Sequence, residues 1–243
     1  MPDGRSATTE DRLLGGRVLL RQPAGGYRAA IDPVLLAAAI PAGEGDRVLD
    51  MGCGVGAAAL CLAVRIPGCL LTGVELQPAL AGLARYNVAA NGLDGRVGVI
   101  EGDIASAPAE LFDHAMANPP FLDRGTRAPD ASKAAANMEG EVDLAGWVAA
   151  AARALKPRGW LTMIHRADRL DAVCAALVPR FGAIAILPVW PKEGQPARRV
   201  LVRARRGARS PASLHPGLAL HRPEGGFTPE AEAILRDAAP FPV

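Results

Sequence analysis

The chain has 243 residues, half of them apolar, and its 27 basic and 25 acidic side chains leave a net charge of only +2; this supports a sizeable core in one large or two small domains. No apolar run of about eighteen residues occurs and Met1 to Asp11 is polar with no apolar stretch behind it, so neither a membrane span nor an export leader is expected and the chain reads as soluble and cytoplasmic. Cys53, Cys61, Cys69 and Cys174 form no Cys-x-x-Cys pair and have no histidines at ligand spacing, which argues against structural zinc, any other metal site and a disulfide framework.

Residues 1–11 offer almost no apolar surface, so disorder is expected there and a single domain over 12–243. Segments 12–14 and 17–20 flank Gly15-Gly16 and predict a hairpin with a two-residue turn. A stretch carrying Tyr27, Arg28, Ile31, Asp32 and Pro33 then leads into an apolar helix ending at Ile40. Asp32 can cap that helix with Pro33 at its first position, and a ligand role for Asp32 stands beside the cap. Residues 48–51 read as a buried strand interrupted by Asp50, which breaks into Gly52, Gly54 and Gly56 before a helix over 57–65. A strand, a tight glycine loop and a helix N-terminus let a ligand approach the backbone, because glycine has no Cβ to hold it off. Asp50 would repel a pyrophosphate and attract an amino group or a sulfonium. The spacing Gly-x-Gly-x-Gly also lacks the last glycine of the dinucleotide fingerprint. This block resembles the first motif of Rossmann-like methyltransferases that use S-adenosylmethionine (SAM), which implies that Asp50, Gly52, Gly54 and Gly56 bind that cofactor.

Downstream, strands are predicted at 69–74, 97–100, 112–117, 160–165, 183–189 and 200–205, with helices at 78–90, 144–155 and 169–178. Such alternation is α/β: a mostly parallel sheet with helices on both faces. The last two strands have no helix between them and can form a hairpin. Together with the resemblance, this gives an expected seven-stranded, mostly parallel sheet with one antiparallel edge strand. Glu75 closes the strand after the glycine loop, where a carboxylate can accept hydrogen bonds from both hydroxyls of a ribose. Asp103 closes the next strand; the resemblance implies that it accepts from the cofactor adenine's amino group while Ile104 packs on the ring. Asp50, Glu75 and Asp103 thus fall at the carboxyl ends of neighbouring strands, where open α/β sheets bind ligands.

Asn118-Pro119-Pro120-Phe121 follows the strand at 112–117. Two prolines after a buried strand donate no ladder hydrogen bonds and restrict the residue before them, but they make a rigid loop whose carbonyls point outward. Methyl transfer to an amine conjugated with a ring or carbonyl needs such a loop. That nitrogen's lone pair is delocalised, and its two hydrogens need acceptors if it is to become more tetrahedral. The Asn118 side-chain oxygen and the Pro119 carbonyl can supply them, while Phe121 stacks on a base; catalysis then rests on positioning and electrostatics.

Over nearly its whole length the sequence resembles the bacterial tRNA adenine N6-methyltransferases that modify position 37 of valine tRNA. The resemblance rests on Tyr27-Arg28, on Asp32 with the four residues after it, on the glycine block, on Asn118 to Phe121 and on the tail 220–230. Ile31 departs from it, since many relatives have threonine before the aspartate. It implies that Arg28 and Asp32 lie over the cofactor and that the partner is tRNA, with an anticodon-loop adenine as target, a base a loop releases cheaply. The core motif is shared with DNA adenine, RNA guanine and protein glutamine methyltransferases, so a glutamine N5-methyltransferase stands as the alternative substrate reading. A non-catalytic SAM- and RNA-binding protein and a dehydrogenase stand as rival classes. Segment 122–139, with Arg124, Arg127, Lys133 and Asn137, is expected to order over the substrate. The arginines between 198 and 209 read either as a phosphate track or as a solvent-facing edge strand. His114, His165, His215 and His221 form no nucleophile or metal constellation, and monomer and homodimer remain open.

Overall fold

The computed structural model describes residues 8–25, 28–109, 111–120 and 143–242. Phe121, Tyr27 and the expected substrate-covering segment 122–139 lie outside the described residues. An N-terminal hairpin pairs β1 (Thr8–Leu13) with β2 (Val18–Pro23). It begins earlier than the expected disorder over 1–11 allows, because residues 8–11 find ladder partners in β2. The expected two-residue turn is a 3-10 turn, Leu14–Gly16, with Leu14 buried. Helix α1 (Asp32–Ala39) follows, buried along nearly its whole length.

The alternating core then runs β3 (Arg47–Met51), α2 (Ala57–Arg65), β4 (Leu70–Glu75), α3 (Pro78–Ala90), β5 (Val97–Glu101) and β6 (Phe112–Ala117). It continues with α4 (Leu144–Ala154), β7 (Leu155–Arg166), α5 (Leu170–Leu177), β8 (Phe181–Lys192) and β9 (Arg199–Arg206). The short strands β10 (Ser213–Leu214) and β11 (Leu218–His221) precede the last helix, α6 (Pro229–Asp237). Strand order across the main sheet is β10-β8-β9-β7-β6-β3-β4-β5, with β11 also on β8.

Seven long strands form the expected mostly parallel sheet, but the reversed strand is not at the edge. β9 is antiparallel to β7 on one side and to β8 on the other, and β10 and β11 extend the sheet beyond β8 to nine strands. A solvent-facing edge strand is therefore the wrong reading of the arginines at 198–209. Apolar residues of α1, α2 and the hairpin, among them Leu20, Leu35 and Leu60, pack on one face of the sheet; α4 and α5 bury Val148 and Leu177 on the other. The tail motif at 220–230 has a structural role: β11 ends in His221, whose ring stacks on Phe227 at 4.9 Å, and Thr228 Oγ1 accepts the Ala231 N–H to cap α6. No helix among the described residues is long and apolar enough to cross a membrane.

Candidate active site

β3, β4 and β6 are parallel neighbours, so the loops that leave their carboxyl ends open onto one edge of the sheet. Met51, the last residue of β3, is in register with Val74 on one side and Ala117 on the other. Gly52 and Asn118, the next residues of their chains, therefore leave strands about 4.8 Å apart.

The glycine loop is held at nearly every residue. The Cys53 N–H donates to the Val74 carbonyl, the Gly54 N–H to Glu75 Oε2 at 2.8 Å and the Gly56 N–H to the Cys53 carbonyl. Gly52 and Gly54 adopt φ of +62° and +56°, where a side chain is strained. A Cβ on Gly52 would also lie 2.6 Å from the Trp147 ring of α4, whereas one on Gly54 would meet open space, so the loop is approachable there. Gly56 caps α2 in the left-handed conformation.

Two buried carboxylates flank this loop. Asp50 is 3% exposed, and its Oδ2 accepts the Ala59 N–H at 3.2 Å in the first turn of α2. Burial pushes its carboxyl up to about 7; the Ala59 N–H opposes the rise and the neighbouring Glu75 adds to it. Glu75, also buried, accepts from Gly54 through Oε2 and from the Gln77 N–H through Oε1. Each oxygen keeps acceptor capacity for a second bond, as the hydroxyls of a ribose require. Two acids beside a loop open at Gly54 fit a cationic nucleoside better than an anionic one.

Asp103 behaves differently: it is exposed, and its Oδ1 accepts the Ala105 N–H to cap the 3-10 turn Ile104–Ser106, while Ile104 is buried. Asn118 is half-buried, Pro119 buried and Pro120 exposed in the turn beyond β6. Asp32 does not cap α1. It is the helix's first residue, no side chain caps the N-terminus, and its Oδ2 pairs instead with Arg199 Nε of β9 at 2.9 Å. Arg28 turns to the hairpin, donating to Thr9 Oγ1 and to Asp11 Oδ2 at 2.9 and 2.8 Å. Asp50, the glycines, Glu75 and the Asn118 turn thus share one edge, while Arg28 is bound to β1.

Sequence reasoning missed Asn87. This fully buried residue of α3 accepts the Arg21 N–H and donates to the carbonyls of Arg21 and Val55, tying the hairpin to the glycine loop. Its signal was an asparagine in an alanine-rich helix, a residue type with poor helix propensity. Arg199 and Trp147 gave no comparable local signal.

The family model described as the methyltransferase small domain matches residues 29–185. A tRNA1(Val) (adenine(37)-N6)-methyltransferase of Aeromonas hydrophila is 35% identical over 74% of this chain and 77% of that protein. One of Shewanella amazonensis is 28% identical over 87% of this chain and 91% of its own length. Among solved structures, a predicted O-methyltransferase from Agrobacterium tumefaciens superposes with a TM-score of 0.74 at 26% identity, covering 86% of this chain and 98% of that one.

Proposed function

The chain belongs to the methyltransferase small-domain family and, within it, to the tRNA1(Val) (adenine(37)-N6)-methyltransferases, and on that premise we propose that it methylates the exocyclic N6 amine of an adenine in tRNA. The observation that carries this reading is the register of Met51 with Ala117, which sets the glycine loop and the Asn118-Pro119-Pro120 turn side by side.

S-adenosylmethionine supplies the electrophilic methyl group when bound. Asp50 and the backbone of Gly52, Gly54 and Gly56 hold its amino-acid end, and Glu75 takes the ribose hydroxyls. Asp103 and Ile104 take the adenine, with Asp103 using the oxygen it does not spend on Ala105. Arg28 and Asp32 form the outer wall, steadied by their ion pairs with Asp11 and Arg199.

On the acceptor side, the Asn118 side-chain oxygen and the Pro119 carbonyl accept the two hydrogens of the target amine. That draws its lone pair out of conjugation and aims it toward the loop at the end of β3. Pro120 stiffens the turn, and Phe121 is the expected stacking partner of the base. A hydroxyl acceptor has one hydrogen and wants a general base, so a pair of neutral acceptors favours an amine. A tRNA substrate supports a cytoplasmic protein.

Tritium transfer from labelled SAM tests the reading. Label entering bulk tRNA and sparing the protein fraction is expected; label entering protein alone would favour the glutamine N5-methyltransferase and end the tRNA assignment.

A further inference from the structure

A cleft of about 410 Å3 lies between α4 and the strands β8 and β9, lined by Ala149, Ala152, Arg153, Arg180, Arg206 and Gly207. Arg206 ends β9 opposite Phe181, the first residue of β8, so the cleft sits at the amino end of the parallel strands, away from Asn118. Its charged lining, among the described residues, is all arginine. The three small residues leave room that larger side chains would fill.

Arg153 donates to the carbonyls of Ile104 and Ala105. These neutral partners orient the guanidinium without cancelling its charge. Arg180 is exposed, and its side chain has no hydrogen bond or ion pair with a described residue. Arg206 is anchored on the Leu155 carbonyl.

Helix α4 connects this cleft to the donor site. Trp147 packs against Gly52 at one end, and Arg153 stands six residues further along, about 9 Å down the helix axis. A strand of a few nucleotides spans that separation.

Building on the tRNA reading, we propose that the cleft binds backbone phosphates flanking the target adenine. Arg153 and Arg180 hold the strand there while the base enters the Asn118 turn. Arginine suits this task because its planar fork matches phosphate oxygens.

The test measures tRNA affinity, its salt dependence, KM for tRNA and SAM affinity for the intact chain and for two variants. Arg180→Glu reverses an exposed charge; Ala149→Glu places a carboxylate in the cleft and removes no arginine. Each is expected to raise KM and the dissociation constant for tRNA by roughly three- to tenfold, and Arg180→Glu to shallow the salt slope by about 0.7–0.9. SAM-induced thermal stabilisation should match that of the unaltered protein. If the unaltered chain methylates tRNA and both variants keep its KM and salt slope, the cleft assignment is overturned and the tRNA reading stands. If the unaltered chain transfers no methyl group to tRNA, the underlying reading fails and the cleft assignment falls with it.

Discussion

At the end of β3 the glycine loop is pinned by hydrogen bonds to Val74, Glu75 and Cys53, whereas the turn one strand away, at the end of β6, carries two prolines that donate none. The first region is a network in which the acids we propose as cofactor ligands, Asp50 and Glu75, also hold the backbone. In the second, the proline rings restrict the backbone of the turn and donate no ladder hydrogen bonds, and the Asn118 side-chain oxygen and the Pro119 carbonyl are the acceptors we propose for the substrate amine. Damage to the donor side should therefore appear in both stability and cofactor affinity, and damage to the acceptor side chiefly in turnover.

The sharpest way to break this contrast is Asn118→Ala. Turnover should fall on the order of a hundredfold or more, with SAM affinity unchanged, as read by single-turnover methyl transfer and SAM-induced thermal shift. A large stability loss would show that Asn118 belongs to the scaffold.

Asn87→Ala tests the opposite half. It leaves the Arg21 N–H and carbonyl and the Val55 carbonyl without their buried partner. The cost should be about 2–3 kcal/mol, or a melting temperature roughly 5–10 °C lower, together with weaker SAM binding in a calorimetric titration.

Asp50 refines the contrast through pH. Its carboxyl is raised from 3.8 in the unfolded chain to about 7 in the fold, so the folded protein holds that proton more tightly. The free protein should lose stability as pH rises from about 4 to about 7, where the unfolded chain has already ionised. Above pH 7, Asp50→Asn should therefore be more stable than the unaltered chain by about 1–3 kcal/mol in denaturant titrations, yet bind SAM more weakly. In the unaltered protein, SAM affinity should rise with pH through about 7 as the carboxylate forms. An affinity flat from pH 5.5 to 8.5 would remove Asp50 from the cationic end of the site.

The smallest effect is expected from Gly54→Ala. A methyl group there meets open space but must adopt φ near +56°, costing about 1–2 kcal/mol of stability. Because the new methyl occupies the approach to the loop, SAM affinity should fall by more than the stability loss alone implies.

Local pattern carried much of this arrangement. Helix α2 spans the predicted 57–65 and α3 the predicted 78–90, because an apolar run bounded by glycines or led by proline reports its own limits. What stayed hidden depends on distant partners. Asp32 looked like a cap, yet its partner Arg199 is 167 residues away, and Arg28 is claimed by Asp11 of a hairpin whose first strand looked too polar to order. β9 looked like an edge because its alternation with arginine is what an edge shows. In the fold, Arg205 Nε donates to the Arg158 carbonyl while Arg203 and Arg205 lie over the Trp160 ring, so an interior strand carries these charges against an aromatic face. Asn87 stood out only by its residue type in α3, and its role stayed hidden because its bonds reach β2 and the glycine loop while helix periodicity reports only the helix's own faces.

The identity of the methylated atom is the most direct test of an amine-accepting turn. The purified chain, given unmodified tRNA and isotopically labelled SAM, should leave its label in N6-methyladenosine once the RNA is digested to nucleosides and weighed by mass spectrometry. Label on a ribose hydroxyl, on a ring nitrogen or on another base would contradict an Asn118-Pro119 turn built to accept both hydrogens of an adenine amine.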